Sequence, residues 1–241
     1  MLFFEALIVI ILIFFQSIFG IGLLLFGTPT FLLLGYNFLD VLNILLPISI
    51  SISAIQLFLS KKKNKKFEYN FNLFCLPFLI LSLFFIINNL SKINFELYVS
   101  ILIIFFSILA LNKNKFKFIK NLNLFKQRII LITIGIVHGF SNLGGSLLAI
   151  FSSTINKDDK NMTRTCIAYS YLITGVIQIS ILYLFSDSRI SIVNLLYIFL
   201  VFLIYIPSQK VFASIDRKKF SNFLNIIAFF YGVIILIKNI N

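Results

Sequence analysis

The sequence predicts an all-α, polytopic membrane protein of two repeated halves, each a broken first segment followed by three transmembrane helices, most simply as inverted repeats. Three observations predict it. The 241 residues are 60% hydrophobic and 12% charged, with a mean hydropathy of +1.03, more apolar surface than a soluble domain of this size can cover. Apolar runs of about 18 residues or more recur, long enough to cross a ~30 Å hydrocarbon core. Two of these runs are interrupted by polar, flexible backbone: Gly20-Ile21-Gly22 through Gly27-Thr28-Pro29, and His138-Gly139-Phe140-Ser141-Asn142-Leu143-Gly144-Gly145-Ser146.

Along the chain the apolar blocks fall at 2–35, 40–60, 71–90 and 96–111, then at 129–155, 165–186, 190–207 and 220–237. The first block of each set carries a break. A broken block and three further blocks, twice over, point to an internal duplication. The domains read as a first transmembrane repeat over 1–111, a basic cytoplasmic linker over 112–128 and a second transmembrane repeat over 129–241. The start of the chain lacks the basic region and small-residue cleavage pattern of a removable signal peptide, so the first block is expected to stay in the membrane.

Basic residues decide how the broken blocks thread the bilayer. If every block crosses once, Lys61–Lys66, Lys113–Arg128, Arg189 and Lys238 lie on one side, with Lys92, Lys157, Lys160, Arg164, Lys210 and Arg217–Lys219 on the other, a split of 13 to 8. If the broken blocks are hairpins that enter and leave on one side, 18 basic residues share a side and only Lys92, Arg189 and Lys238 oppose them. Basic loops stay in the cytoplasm, which favours the hairpins. Three full crossings per half then make the halves inverted, as in many transporters, with both termini outside the cytoplasm.

The chemistry of the breaks points to an anion. Glycine inside a membrane segment frees backbone groups that lipid cannot bond, so breaks survive where they are buried in protein or line a cavity. Thr28 before Pro29 reads as an N-cap followed by proline at the first helical position. Ser141, Asn142 and Ser146 around Gly144 and Gly145 read as a second helix start. A half-helix that begins inside the membrane aims free N–H groups and its positive dipole end into the cavity. Two such ends would make an oxyanion site without a fixed positive side chain. Gly20, Gly22, Gly27, Thr28, Pro29, Ser141, Asn142, Gly144, Gly145 and Ser146 are therefore the expected substrate-binding residues. The plainer alternative is that these glycines only let helices pack closely.

These residues also carry a resemblance. The run from Phe19 to Gly35 resembles the first-repeat motif of the sulfite exporter TauE/SafE family of membrane transporters. Gly139 to Ser146 resembles the second-repeat motif, and Ile215-Asp216-Arg217-Lys218-Lys219-Phe220 the basic loop before the last helix. The resemblance implies a bacterial inner-membrane, multi-pass exporter of small sulfur-containing or organic anions.

Among the remaining polar residues, His138 is the sole histidine. It precedes the second break and is the candidate for proton coupling; a neutral imidazole bonded to a backbone carbonyl is the alternative. Gln16, Ser17, Asn43, Gln56, Thr174 and Gln178 lie within apolar blocks, where each either lines a path or bonds a neighbouring helix. Cys75 and Cys166 stand alone, without metal-ligand spacing, and read as packing residues; no metal or cofactor is expected. The lysine clusters are juxtamembrane and suit anionic lipid rather than nucleic acid. No phosphate-cradling glycine loop supports ATP-driven transport, and no acid pair or nucleophile supports an enzyme. The expected function is a secondary exporter of small anions such as sulfite, sulfonates or related organic acids; the alternative is a non-transporting membrane assembly subunit.

Overall fold

A computed structural model of the chain describes residues 2–60, 62–89, 95–111, 123–157, 159–186 and 189–214, with scattered positions between 226 and 237. Among the described residues every regular element is a helix. They are α1 (Leu2–Phe19), α2 (Leu23–Leu33), α3 (Phe38–Leu59), α4 (Lys65–Phe74), α5 (Leu76–Asn89), α6 (Phe95–Leu111), α7 (Leu124–Ser141), α8 (Gly145–Ile155), α9 (Lys160–Phe185) and α10 (Ile192–Ser214). Five spans are long and apolar enough to cross a bilayer: α3, α4 and α5 taken together, α7, α9 and α10. Their outer surfaces suit lipid. On α10, Ile192, Phe199, Leu203 and Ile206 form a stripe of exposed apolar side chains, with Leu203 and Ile206 both 72% exposed. Water would penalise such a stripe.

Both broken blocks fold back on themselves. In the first, Phe15 packs on Phe26 with ring centroids 6.2 Å apart, Gly27 lies against Leu12, and the Tyr36 hydroxyl donates to the Glu5 carboxylate at 2.8 Å. The partners run in opposite directions, so α1 and α2 are an antiparallel hairpin. In the second, Gly144 turns back onto His138. There α7 starts beside α4, with the Arg128 guanidinium 4.9 Å from the Phe74 ring. At the end of α8, Asn156 accepts from Asn64, the residue that caps α4, at 3.1 Å.

Side-chain bonds sort the connections into two ends of the bundle. At one end, Ser60 bonds Thr165 at 2.7 Å, Lys62 pairs with Asp159 at 2.6 Å and Arg164 donates to Gln209 at 2.8 Å. This basic end gathers 60–64, 156–165 and 209–214. Threading each block once would have separated the 61–66 and 157–164 clusters; here they touch. At the other end, Glu5 takes hydrogen bonds from Tyr36 and Tyr197, and Phe84 meets Phe185.

Helix starts at 2, 23 and 38 recur at 124, 145 and 160, a constant offset of 122. The lengths recur too: 18 and 11 residues for α1 and α2, then 18 and 11 for α7 and α8. Packing crosses between the two sets. At the centre α3 packs on α9, while α1 lies on α10 and α7 on α5. In lipid no hydrophobic force joins helices, so close backbone approach and polar bonds must do it. Gly135 and Gly139 supply the approach: a β-carbon at Gly135 would meet the Cys75 carbonyl oxygen at 2.3 Å, and one at Gly139 the Ser82 hydroxyl at 2.0 Å. Pro47 lacks an N–H and so frees the Asn43 carbonyl within α3, which accepts from Asn194 Nδ2 of α10 at 3.4 Å.

Several sequence expectations need correction. Thr28 and Pro29 do not start a half-helix; both lie inside α2, whose N-cap is Gly22. The reason is backbone freedom. Gly20 and Gly22 take φ of 74° and 131°, angles open to glycine, so the chain turns there and the helix is already running at Pro29. Nor do Ser141, Asn142 or Ser146 cap α8. Its N-cap is Gly144 with no side-chain bond, because Ser141 closes α7 and donates to its own Val137 carbonyl at 2.7 Å. The expected linker loses its last residues to α7, which begins at Leu124 behind an Asn123 cap. Lys65 and Lys66 belong to α4 rather than a loop, and Arg164 belongs to α9. The 215–220 motif and most of the 112–128 linker lie outside the described residues.

Candidate functional site

The first break is three residues, Gly20 to Gly22, between α1 and α2. Gly20 sits against α9: a β-carbon there would lie 3.4 Å from Arg164 Cγ and Ile167 Cγ2. No side chain caps α2, so its leading N–H groups lack intrahelical acceptors. The trailing carbonyls of α1, by contrast, are covered. Gln56 Nε2 donates to the Gln16 and Ser17 carbonyls at 3.3 Å each, and Gln209 Nε2 reaches the Ser17 carbonyl at 3.3 Å. Gly27 lies further along α2 and has a packing role, since a β-carbon would meet Leu45 Cδ1 at 2.8 Å. Thr28 beside it is buried with its hydroxyl unpartnered.

The second break is Asn142 to Gly144. Asn142 takes the left-handed conformation at φ 62°, which asparagine tolerates better than most residues, and its N–H closes α7 on the His138 carbonyl at 2.8 Å. Gly144 and Gly145 then start α8. Gly144 is pressed against His138, with 2.7 Å from a β-carbon to His138 Cβ. Gly145 is pressed against Tyr171, whose hydroxyl would stand 1.8 Å from a β-carbon. Tyr171 in turn faces the His138 ring at a centroid distance of 5.7 Å.

Around this second helix start His138 Nε2, both amide atoms of Asn142, the Tyr171 hydroxyl and the Thr174 hydroxyl have no protein partners; further along α9 the Gln178 amide has none either. Each such group costs about 1–3 kcal/mol when left unsatisfied, so several on adjoining helices mark a site kept open for hydrogen bonding. Ser146, buried in the first turn of α8, adjoins them in sequence. His138, Gly144, Ser170, Tyr171 and Thr174 line one narrow void with Cys75 and Phe71. The void is too tight for a water molecule.

The offset of 122 explains where the polar residues stand. Positions 16, 49 and 56 correspond to 138, 171 and 178. In the first set Gln16 donates to the Ser49 hydroxyl at 2.9 Å and Gln56 Nε2 is bonded. In the second set His138 faces Tyr171, and Gln178 has no partner. The first set thus has internal side-chain bonds that the second lacks, although Gln56 Oε1 is itself unpartnered. Gln16, Gln56 and the Asn43 carbonyl bond neighbouring helices, whereas Thr174 lines the void at the second break.

The two breaks meet α9 about one turn apart, at Ile167 and Tyr171, a rise of ~6 Å. Sequence reasoning missed Tyr171 and Arg164. Tyr171 carried one signal, its spacing of three and seven residues from Thr174 and Gln178, which puts all three on one helical face. Cys75 and Cys166 are free and buried, as packing residues are. Among the described residues no group of histidine, cysteine or acidic side chains is placed to hold a metal.

Fold and site together define a multi-pass helical membrane protein with two antiparallel helical hairpins and a narrow void, lined by apolar and polar side chains, beside one of them. No family model, curated protein or solved structure matches this chain.

Proposed function

We propose that the chain is a secondary membrane transporter, an exporter of small anions such as sulfite, sulfonates or related organic acids, placed in a bacterial inner membrane. One observation carries this reading: the unpartnered polar groups of His138, Asn142, Tyr171 and Thr174 around the uncapped start of α8. A structural polar network would bond internally, as Gln16 does to Ser49. An anion held by the α8 N–H groups and this shell would find donors and a positive dipole end without a buried counter-ion.

The architecture supports the same reading. The α1–α2 hairpin opens at the Glu5 end, the α7–α8 hairpin opens toward the basic end, and the helix pattern repeats at a fixed offset. This is the layout expected of two inverted repeats whose discontinuous helices flank a central site. The resemblance to the TauE/SafE motifs agrees with it. Coupling to a proton through His138 completes the proposal.

The experiment is counterflow in proteoliposomes with labelled sulfite, a sulfonate and a carboxylate. Saturable exchange of at least one class is expected. Well-inserted protein that exchanges none of them excludes anion transport and leaves the assembly-subunit reading.

A further inference from the structure

The void beside the second break is lined in two layers. At the level of the break stand His138, Gly144, Tyr171 and Thr174, and His138 Nε2 and the Tyr171 and Thr174 hydroxyls have no protein partner. Ile134 stands one turn before His138 on α7, and Leu148 one turn after Gly144 on α8; both line the same void. Because α7 runs toward the break and α8 away from it, each lies ~6 Å nearer the basic end. Cys75 belongs to this second layer, since its carbonyl lies against Gly135, the neighbour of Ile134. Phe71 precedes Cys75 by a further turn, its ring held by stacking on Phe67 at 5.6 Å and by the edge of Tyr169 at 6.4 Å. Ser170 gives its hydrogen to the Cys166 carbonyl at 2.9 Å and offers the void none. Among the described residues no acidic or basic side chain other than His138 lines it.

Each layer constrains the occupant. The polar layer presents neutral donors, a phenol, a hydroxyl and the leading N–H groups of α8, which suit a negative head. Taking charge out of water is costly, and the cost grows with the square of the charge, so a dianion is about four times as hard to desolvate as a monoanion of the same size. With no fixed cation to offset it, one charge is accepted and two are not. The apolar layer has only a thiol, a weak donor, so an oxygen placed there would lose its hydrogen bonds while a hydrocarbon tail would be buried favourably. The void is narrower than a water molecule, so a ligand is admitted only as these helices part, and it then meets this lining.

We propose that the site takes singly charged oxyanions with a short, unbranched apolar tail, the head at the break and the tail toward the basic end, and that Cys75, Ile134 and Leu148 set the length of the tail. The inference rests on the transport reading and narrows its substrates. Alkanesulfonates and alkanecarboxylates of a few carbons share the required chemistry. Bare sulfite, which the motif resemblance suggests, has no tail for the second layer, and sulfate adds a second charge. Cys75 is then a wall that selects substrate as well as a residue that packs.

The test measures binding to the full chain in nanodiscs by calorimetry at constant ionic strength. The probes are methane- to butanesulfonate, acetate to valerate, and sulfate. Affinity should rise roughly fourfold per methylene up to an optimum length and fall beyond it, with sulfate about tenfold weaker than ethanesulfonate or worse. Cys75→Ala should move the optimum to a longer tail. Ile134→Val should do the same, and it carries the test if the cysteine variant does not insert. Thr174→Val, which acts on the head, should weaken every member of a series by a common factor of about three and leave the optimum in place. The series that binds more tightly identifies the head, and either answer keeps the site. Affinity that is flat along both series, sulfate that binds as tightly as ethanesulfonate, absence of binding by either series, or an optimum that neither enlarging variant moves overturns the inference. If sulfite counterflow persists in that case, the transport reading stands without it. Length-dependent binding that shifts with Cys75 in a protein that exchanges none of these anions keeps the site and removes transport.

Discussion

The hydroxyl of Tyr171 stands directly over Gly145, so that a β-carbon on the first residue of α8 would lie 1.8 Å from it. That contact joins the central helix α9 to the start of the half-helix and makes Gly145 a position where bulk acts on the site itself. Gly145→Ala is expected to abolish anion counterflow while the protein still inserts. Overpacking of this kind costs about 1–3 kcal/mol. Tyr171→Phe in the same chain removes the clashing oxygen and should recover part of the lost thermal stability, a coupling that a double-mutant cycle reads directly. Independent effects of the two substitutions would show that the phenol does not set the position of the half-helix.

Position 138 tests coupling. His138→Gln keeps size and hydrogen bonding but cannot titrate near neutral pH, and glutamine already stands at the corresponding position 16. The variant should insert, bind anion and exchange it, with the pH dependence of flux flattened between about pH 5.5 and 8. An unchanged pH profile removes His138 from coupling. In that case the effect of the substitution should be confined to stability, through the lost packing of the imidazole ring on Tyr171.

Much of this was legible from local chemistry. Gly20-Ile21-Gly22 and Asn142-Leu143-Gly144 could be read as breaks because positive φ belongs to glycine and asparagine, and they are the residues with φ of 74°, 131° and 62°. Thr28-Pro29 misled for an equally local reason. Threonine before proline is a helix-start signal in water, but membrane helices tolerate internal proline because neighbours satisfy the freed carbonyl. Tyr171 and Arg164 could not be found this way. Their importance lies in which residues of α1 and α8 they touch, and that is fixed by how α9 packs against both hairpins rather than by their own neighbours in sequence.

Threading is open to direct measurement. Because 60–64 and 156–165 meet at one end, cysteines placed at Lys62 and Asp159 should be joined by a short bifunctional thiol reagent. Both should be reached by an impermeant label from the cytoplasmic side only. A reporter fused after Asn241 that is active only in the cytoplasm should stay silent. An active fusion contradicts the inverted arrangement.

The tie between those two connections should respond to acid. Asp159 has its carboxyl held below the ordinary value of 3.8, first by the hydrogen bond from Lys62 and then by the Met162 N–H at the start of α9. A carboxyl with a depressed folded value stabilises the fold above its unfolded pKa and loses that contribution as the pH falls through the folded value. The effect should therefore be absent above about pH 4 and emerge only below it. Amide exchange of residues 159–165 should rise in that acid range, and Asp159→Asn should remove the transition while keeping the cap.

The far end of the bundle depends on Glu5. Its two carboxylate oxygens take the Tyr36 hydroxyl at 2.8 Å and the Tyr197 hydroxyl at 3.0 Å, which ties α1, the turn after α2 and α10 to one side chain that is 9% exposed. Burial, and then the bond and charge of Glu5, push the Tyr36 phenol above its usual value of 10.0, so it remains a donor throughout the neutral range. A raised phenol pKa stabilises the fold fully below pH 10 and loses that contribution as pH rises through the folded value. Glu5→Ala leaves two phenols without acceptors and should cost about 3–6 kcal/mol, at roughly 1.5–3 kcal/mol for each hydrogen bond to a charged group. Glu5→Gln keeps one carbonyl acceptor and should cost about half as much. Thermal unfolding of the purified protein at neutral pH gives the order wild type, Gln, Ala. If the Ala and Gln variants melt together at the wild-type temperature, the Glu5 cluster does not hold the first hairpin to α10, and the open end of that hairpin must be fixed by apolar packing alone.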